Sequence, residues 1–332
     1  MNETVSFSKD ATNLFFHILT GCNLRCQHCY INPDQHGTEM LSIHTIEAWL
    51  EVFARRSNAA NVIFLGGEPT LHPDLSQAVA TARNLGYRSI TIDTNGYLFH
   101  EILDKITPQD IDYFSFSLDG ATAAINDHIR GSGSFQQCTD GIRNAVSRGF
   151  HTSLIYTVSR ENIHELPLMP PFLKELGINR FFIQVLGLRG QSAGANQKDG
   201  RVSRASWLDV VPSTAEAAAD LGIVTIYPKV FLELDDPFEC AARVAGNYFV
   251  FPNGRVYRCP LCEDHPIHSL CIEENRLIPT KSINEKDLFA LNIPEGCVMN
   301  KLIQPENLTY NNQGSPEYKI ACCLLKEELS PK

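Results

Sequence analysis

From Asn13 to about Tyr227, short runs rich in β-branched and aromatic residues alternate with longer runs of helical period. The strand candidates are NLFFHIL (13–19), NVIFLG (61–66), SITIDT (89–94), DYFSFSL (112–118), TSLIYTV (152–158) and RFFIQVL (180–186). Helical runs such as SIHTIEAWLEVFARR, PDLSQAVATARNLG and SFQQCTDGIRNAVSRG fill the gaps, several of them closed by Gly. Prolines 167, 170 and 171 are expected to interrupt the fifth helical run. Strands joined by helices call for a parallel sheet, since parallel neighbours need a long crossover. An open doubly wound sheet and a closed or partial barrel both satisfy this pattern. In either fold the loops at the C-terminal strand ends build the site, and the unusual residues fall there: three Cys after the first strand, GGEP after the second, TNG after the third and SLDG after the fourth.

Beyond Tyr227 the alternation stops. NYFVF-PN-GRVYRC reads as a β-hairpin around a Pro-Asn-Gly turn, and the rest shows little periodicity. Residues 1–228 and 229–332 are therefore expected to form two domains, the second small, loop-rich and dependent on its Cys residues for order. The chain has 11 Cys, an odd number without an export signal, so metal or redox chemistry is expected rather than a disulfide framework. Cys138, alone on a helical run, reads as a small buried apolar residue. A net charge of −10 argues against nucleic acid as the main partner. No window approaches a membrane span, and a cytoplasmic location is expected. GLRGQSAGANQKDG (187–200) reads as one long flexible loop, and His44, His72, His100 and His164 as surface or capping residues.

Three chemistries suit Cys22, Cys26 and Cys29 in GCNLRCQHCY. A structural zinc site would need a fourth ligand, for which His28 or His36 is at hand. A dithiol pair would use Cys26 and Cys29 and leave Cys22 idle. An iron-sulfur cluster would leave one iron without a protein ligand, the open position of a catalytic metal site.

CNLRCQHC behind a strand, followed by FLGGEPTLHPDL (64–75), TNGYL (94–98), SLDGATAAINDHIRGSGSF (117–135) and TVSRENIHEL (157–166), resembles the radical S-adenosylmethionine (SAM) superfamily. The resemblance covers roughly residues 10 to 190 and implies a partial (β/α)6 TIM-type barrel. It further implies a [4Fe-4S] cluster on Cys22, Cys26 and Cys29 whose fourth iron is chelated by SAM. The implied cofactor contacts are Gly66, Gly67, Glu68 and Pro69 of GGEP, with Glu68 or nearby carbonyls accepting from the ammonium group. Asn95 would line the pocket, Ser117 and Asp119 would meet the ribose or methionine part, and Arg130 would meet the methionine carboxylate. No catalytic residue beyond the cluster ligands is identified.

Cys240, Gly254 and Cys259, in the spacing C-x13-G-x4-C, resemble the start of the SPASM and twitch extensions that carry auxiliary [4Fe-4S] clusters. The full SPASM run is missing here, so the resemblance implies one auxiliary cluster, expected on Cys240, Cys259, Cys262 and Cys297; four thiolates also suit zinc. Cys271, Cys322 and Cys323 stay unassigned. The function implied is reductive cleavage of SAM to a 5′-deoxyadenosyl radical and hydrogen abstraction from a substrate, with a one-electron donor such as flavodoxin or ferredoxin. Oxidative modification of a peptide or protein is the first reading. Small-metabolite or cofactor biosynthesis is the second, supported by the short stretch before the first strand, which leaves no room for a fused leader-binding domain. A non-catalytic metal-binding scaffold is a third reading, opposed by the intact Cys triplet and GGEP.

Overall fold

The computed structural model describes residues 5, 9–57, 59–193, 200–262, 268–280 and 285–331. Seven parallel strands follow one another in chain order: β1 (Thr12–His17), β2 (Ala60–Leu65), β3 (Ser89–Thr94), β4 (Tyr113–Ser117), β5 (Thr152–Val158), β6 (Arg180–Val185) and β7 (Val224–Pro228). Every crossover steps one place in the same direction. A doubly wound sheet would reverse at a switch point, so this order is that of a barrel wall. The wall does not close: the sheet is a mixed, open partial barrel.

β7 and the pairing at both edges of the wall were not legible in the sequence. After β8 (Phe231–Leu232) come β9 (Gly246–Val250) and β10 (Arg255–Tyr257), the expected hairpin, and then β11 (Leu270–Glu273) and β12 (Arg276–Pro279). β9 lies parallel against β1, so this hairpin pair extends the barrel sheet from its first edge. β13 (Lys319–Ile320) pairs with β8, and β14 (Lys326–Leu329) runs antiparallel along β7, covering the other edge. The tail also holds helices Glu285–Phe289 and Val298–Ile303, so it is more ordered than its sequence suggests. These elements are too short for a period to register.

The strand faces explain what the wall encloses. Leu14, Phe16, Val62, Phe64, Ile90, Ile92, Phe114, Phe116, Leu154 and Phe181 are fully buried in one core with Trp49, Leu50, Ala78, Ile142 and Trp207 of the outer helices. Residues between them point to the opposite face, and many are polar: Asn13, Asn61, Ser89, Asp93, Ser115 and Thr157. Near the N-terminal end of the wall a ladder of side-chain hydrogen bonds crosses four strands, Asn13 Nδ2 to Asn247 Oδ1 (2.9 Å), Asn61 Nδ2 to Asn13 Oδ1 (3.0 Å) and Ser89 Oγ to Asn61 Oδ1 (3.0 Å). The proline-rich fifth crossover is interrupted as expected, a 3-10 turn over Ile163–Leu168 preceding the helix Met169–Leu176. Among the described residues no helix is long and apolar enough to cross a membrane.

Candidate functional site

The loop that leaves β1 is pinned from two sides. Gly67 N donates to the Leu19 carbonyl (3.1 Å) and Glu68 N to the Gly21 carbonyl (3.0 Å), so GGEP runs against the backbone that leads into Cys22. A Cβ on Gly66 would stand 2.7 Å from Leu19 O, and one on Gly67 2.2 Å from Gly21 O. The glycines are thus required by the chain's own backbone, which fits only where no side chain intervenes. On the other side Gln27 N donates to Ile129 O (2.9 Å) and Gln27 Nε2 to His128 O (2.7 Å), tying the loop to the end of helix Ala123–Arg130.

Cys22 is exposed, and Cys26 and Cys29 are half-buried. Leu24 N donates to Cys22 Sγ at 3.4 Å. Desolvation at the sulfur, with Glu68, Cys26 and Cys29 adding to it, pushes the Cys22 thiol up to about 11. Asn95 Nδ2 donates to Asn23 Oδ1 (2.7 Å) and lies 3.8 Å from Cys22 Sγ. Ser117 ends β4, its carbonyl receiving the Cys138 thiol at 3.6 Å; Cys138 is buried.

The other candidates are bound to one another. Asp119 is fully buried, meets His28 Nε2 (2.5 Å), accepts from Thr157 N (2.7 Å) and forms an ion pair with Arg130, whose Nε lies 2.6 Å away. Burial alone would raise its pKa, but Arg130, His28 and the Thr157 amide outweigh it and hold the carboxyl at about 2. Arg130 Nη1 lies 4.0 Å from Cys26 Sγ. Glu68 is also fully buried. Its oxygens accept from Thr70 N (3.1 Å), Thr70 Oγ1 (2.5 Å), Thr94 Oγ1 (2.8 Å) and Asn95 N (2.7 Å), stitching the end of β2 to the end of β3. Pro69 opens a 3-10 turn that Glu68 caps.

His36 is stacked on Phe251 (ring centroids 3.7 Å apart), receives Asn32 N on Nδ1 (3.0 Å) and meets Tyr257 Oη through Nε2 (3.0 Å). His17 stacks on Phe251 too (3.8 Å), and its Nε2 meets Tyr30 Oη at 2.7 Å. Burial lowers both imidazoles, to about 3 for His17 and about 2 for His36, so both are neutral. This wedge joins the Cys loop to the C-terminal hairpin. His72, expected to be a surface or capping residue, is buried: Nε2 meets the Leu41 carbonyl (2.9 Å), and Nδ1 accepts from Asp74 N (3.1 Å) ahead of the helix Leu75–Asn84.

Of the 187–200 segment, residues 194–199 lie outside the described residues, but 187–193 are not a loose loop. Gln191 N donates to the Cys29 carbonyl (2.7 Å), and Arg189 lies over the Tyr30 ring (4.9 Å) while its Nη1 reaches Pro260 O (3.0 Å). Arg189 thereby links the Cys loop to the residue after Cys259, a contact no sequence signal announces.

In the C-terminal region Cys240, Cys259 and Cys297 line one cavity, joined there by Cys322 and Cys323. Cys262, three residues after Cys259, is fully buried beside Glu285. Cys271 stands apart, on the hairpin β11–β12, with its thiol toward Glu273 and the Ile278 carbonyl. Among the described residues no three His, Cys, Asp or Glu side chains stand close enough to hold a single metal ion. The interior face carries Asp93, raised to about 6 by burial, and Lys326, whose ammonium lies 5.3 Å from the Phe182 ring centre and is lowered to about 8 by burial against the opposing pull of Cys323 and Asp93.

Residues 16–169 match the model of the Radical SAM superfamily. The chain is 31% identical over 199 residues to Fe-coproporphyrin III synthase of Methanosarcina barkeri, covering 59% of this chain and 49% of that protein. It is 28% identical over 210 residues to mycofactocin maturase MftC of Mycobacterium ulcerans, covering 62% and 53%. The chain thus spans about half the length of these relatives. Its fold is similar to that of Streptococcus suis SuiB bound to S-adenosylmethionine, with a TM-score of 0.67 and 14% identity over 96% of this chain and 78% of that one. Residues 16–169 are thus similar to the Radical SAM superfamily, on a fold similar to that of SuiB.

Proposed function

We propose that the chain is a radical SAM enzyme that modifies a peptide or protein, with Cys22, Cys26 and Cys29 holding three irons of a [4Fe-4S] cluster and SAM taking the fourth. The observation that carries this reading is the donor set of the pinned loop. Three thiols fall within eight residues on one loop held by the Gly67, Glu68 and Gln27 amides, while His36 is engaged through both nitrogens and His28 through Nε2. Such a set suits a group that keeps one metal position for a small molecule. When bound, the cluster supplies the electron that splits SAM into methionine and the 5′-deoxyadenosyl radical that takes hydrogen from substrate.

The chain's own residues orient these groups. Glu68 has its carboxylate filled from within the protein, so the ligand's ammonium is left to the backbone carbonyls of Gly66 and Gly67. Asp119 is filled likewise, leaving the Ser117 hydroxyl for the ribose. We assign Asp119 and Arg130 a positioning role: their buried pair holds the segment on which Cys26 rides. Asn95 steadies Cys22 through Asn23. Residues 1–228 would serve SAM cleavage, and residues 229–332 would carry one auxiliary [4Fe-4S] cluster on some of the thiols at 240, 259, 262 and 297. A protein of the flavodoxin or ferredoxin class would deliver the electron.

The peptide reading is supported by the maturase MftC among the relatives and by the fold of SuiB, also solved bound to precursor peptide SuiA. The 31% identity to Fe-coproporphyrin III synthase favours a second reading, a small metabolite or cofactor as substrate. The test is anaerobic reconstitution followed by an assay for 5′-deoxyadenosine under reduction. Formation that disappears on replacing Cys22, Cys26 and Cys29 together with Ala is expected; none from fully loaded protein would overturn the reading.

A further inference from the structure

The C-terminal thiols are not grouped as their spacing suggests. Five of them, Cys240, Cys259, Cys297, Cys322 and Cys323, face one cavity, walled further by the apolar side chains of Phe238, Leu261, Phe289 and Met299. Cys262 is not among the residues that line it. The 3-10 turn Pro260–Cys262 carries its side chain to a fully buried position. Glu285 is itself fixed by Ser269 Oγ (2.9 Å) and the Arg258 amide.

What brings Cys322 to the cavity is the backbone. β13 pairs with β8, Ala321 N donates to Val230 O (2.8 Å), and Cys297 N donates to Ile320 O (3.1 Å). The segment before Cys240 and the segment before Cys322 therefore lie side by side, with Cys297 across from them. Cys322 Sγ then accepts the Ala241 amide at 3.4 Å, next to Cys240 in the chain, and the Cys322 carbonyl accepts the Leu325 amide (3.2 Å). Cys297 Sγ accepts the Asn300 amide at 3.4 Å. Cys22 Sγ in the loop after β1 accepts the Leu24 amide at the same distance. Amide donors of this kind stabilise a thiolate and set the properties of a cluster bound through it.

We propose that Cys322 completes the auxiliary site, so that its ligands are Cys240, Cys259, Cys297 and Cys322, with Cys262 and Cys323 outside the set. The C-terminal segment, about 60 residues beyond the Cys259–Cys262 turn, closes the site that the local CxxC would otherwise be expected to close. This rests on the reading of the auxiliary group as an iron-sulfur cluster.

The test uses the full chain with Cys22, Cys26 and Cys29 replaced by Ala, so that only auxiliary iron is counted, and reads iron, sulfide and zinc per chain with the electron paramagnetic resonance of the reduced protein. About four irons are expected in this background. Adding Cys322→Ser should bring iron below about one per chain, whereas Cys262→Ser and Cys323→Ser should each keep about four. Loss of iron with Cys262→Ser and retention with Cys322→Ser would overturn the ligand set while leaving the auxiliary cluster standing. Zinc without sulfide, or no metal at all, in the parent background would overturn the cluster reading and the proposal with it. Should Cys322→Ser fail to fold, alkylation of the native protein decides: Cys322 should be shielded when loaded and modified after iron is stripped, and equal modification in both states counts against it.

Discussion

Gly67 and Asp119 show how much of the site is construction rather than contact with a ligand. A methyl group on Gly67 meets the Gly21 carbonyl, backbone against backbone, so neither partner can swing aside. Gly67→Ala should leave the far-ultraviolet circular dichroism unchanged but displace the loop carrying Cys22, cutting 5′-deoxyadenosine formation roughly 100-fold, the usual consequence of a displacement of about 1 Å. Asp119 offers a titratable test. Its pKa is depressed in the folded chain to about 2 from 3.8, so its contribution is complete above about pH 4 and is lost as the pH falls through about 2. Asp119→Asn leaves Arg130 buried without its counter-charge, at a cost of about 3–5 kcal/mol. Urea unfolding of metal-free protein should show this difference at pH 7 and show it narrowing towards pH 2, as the wild-type carboxyl becomes neutral too; a difference independent of pH would remove the ion pair from the account.

β14 is the element the sequence conceals best. KEEL has neither β-branched residues nor alternation, and nothing in it announces a strand. It is one because β7 offers an unpaired edge and because its charges find partners: Glu328 with the buried Arg180 (2.5 Å), Glu327 with Lys229 and with Tyr227 Oη (2.9 Å). Charged edge strands guard a sheet against pairing with other copies. Removing residues 326–331 should therefore shift the protein from one species towards dimers and larger aggregates in size-exclusion chromatography, with the auxiliary iron retained because Cys322 is still present. An unchanged elution volume would show that β7 is protected by other means. β1–β6 and the helices Ile43–Ala54, Leu75–Asn84, Ser134–Ser147 and Arg204–Asp220, by contrast, were readable within one or two residues, because each has a core face long enough to impose its own period, whereas the short helix Ala123–Arg130 was not read.

For the molecule as a whole, alternation implied parallel strands, but the choice between barrel and doubly wound sheet came only from the direction of successive crossovers, which no local pattern carries. The same holds for the site. Cys22, Cys26, Cys29 and GGEP are contiguous, so spacing reveals them. The pairing of Asp119 with Arg130 and His28, the Arg189 bridge and the approach of Cys322 to Ala241 depend on residues far apart in the chain. The domain boundary expected near residue 228 is crossed by one continuous sheet, with β9 on β1 and β14 on β7. This has a consequence for synthesis. A ribosome making the chain in order releases seven wall strands with both outer edges bare, covers the first only after residue 250 and the second only after residue 329. For most of its translation the nascent barrel is thus open to pairing with its neighbours on a polysome, and a chaperone that shields β1 and β7 would do most for its yield.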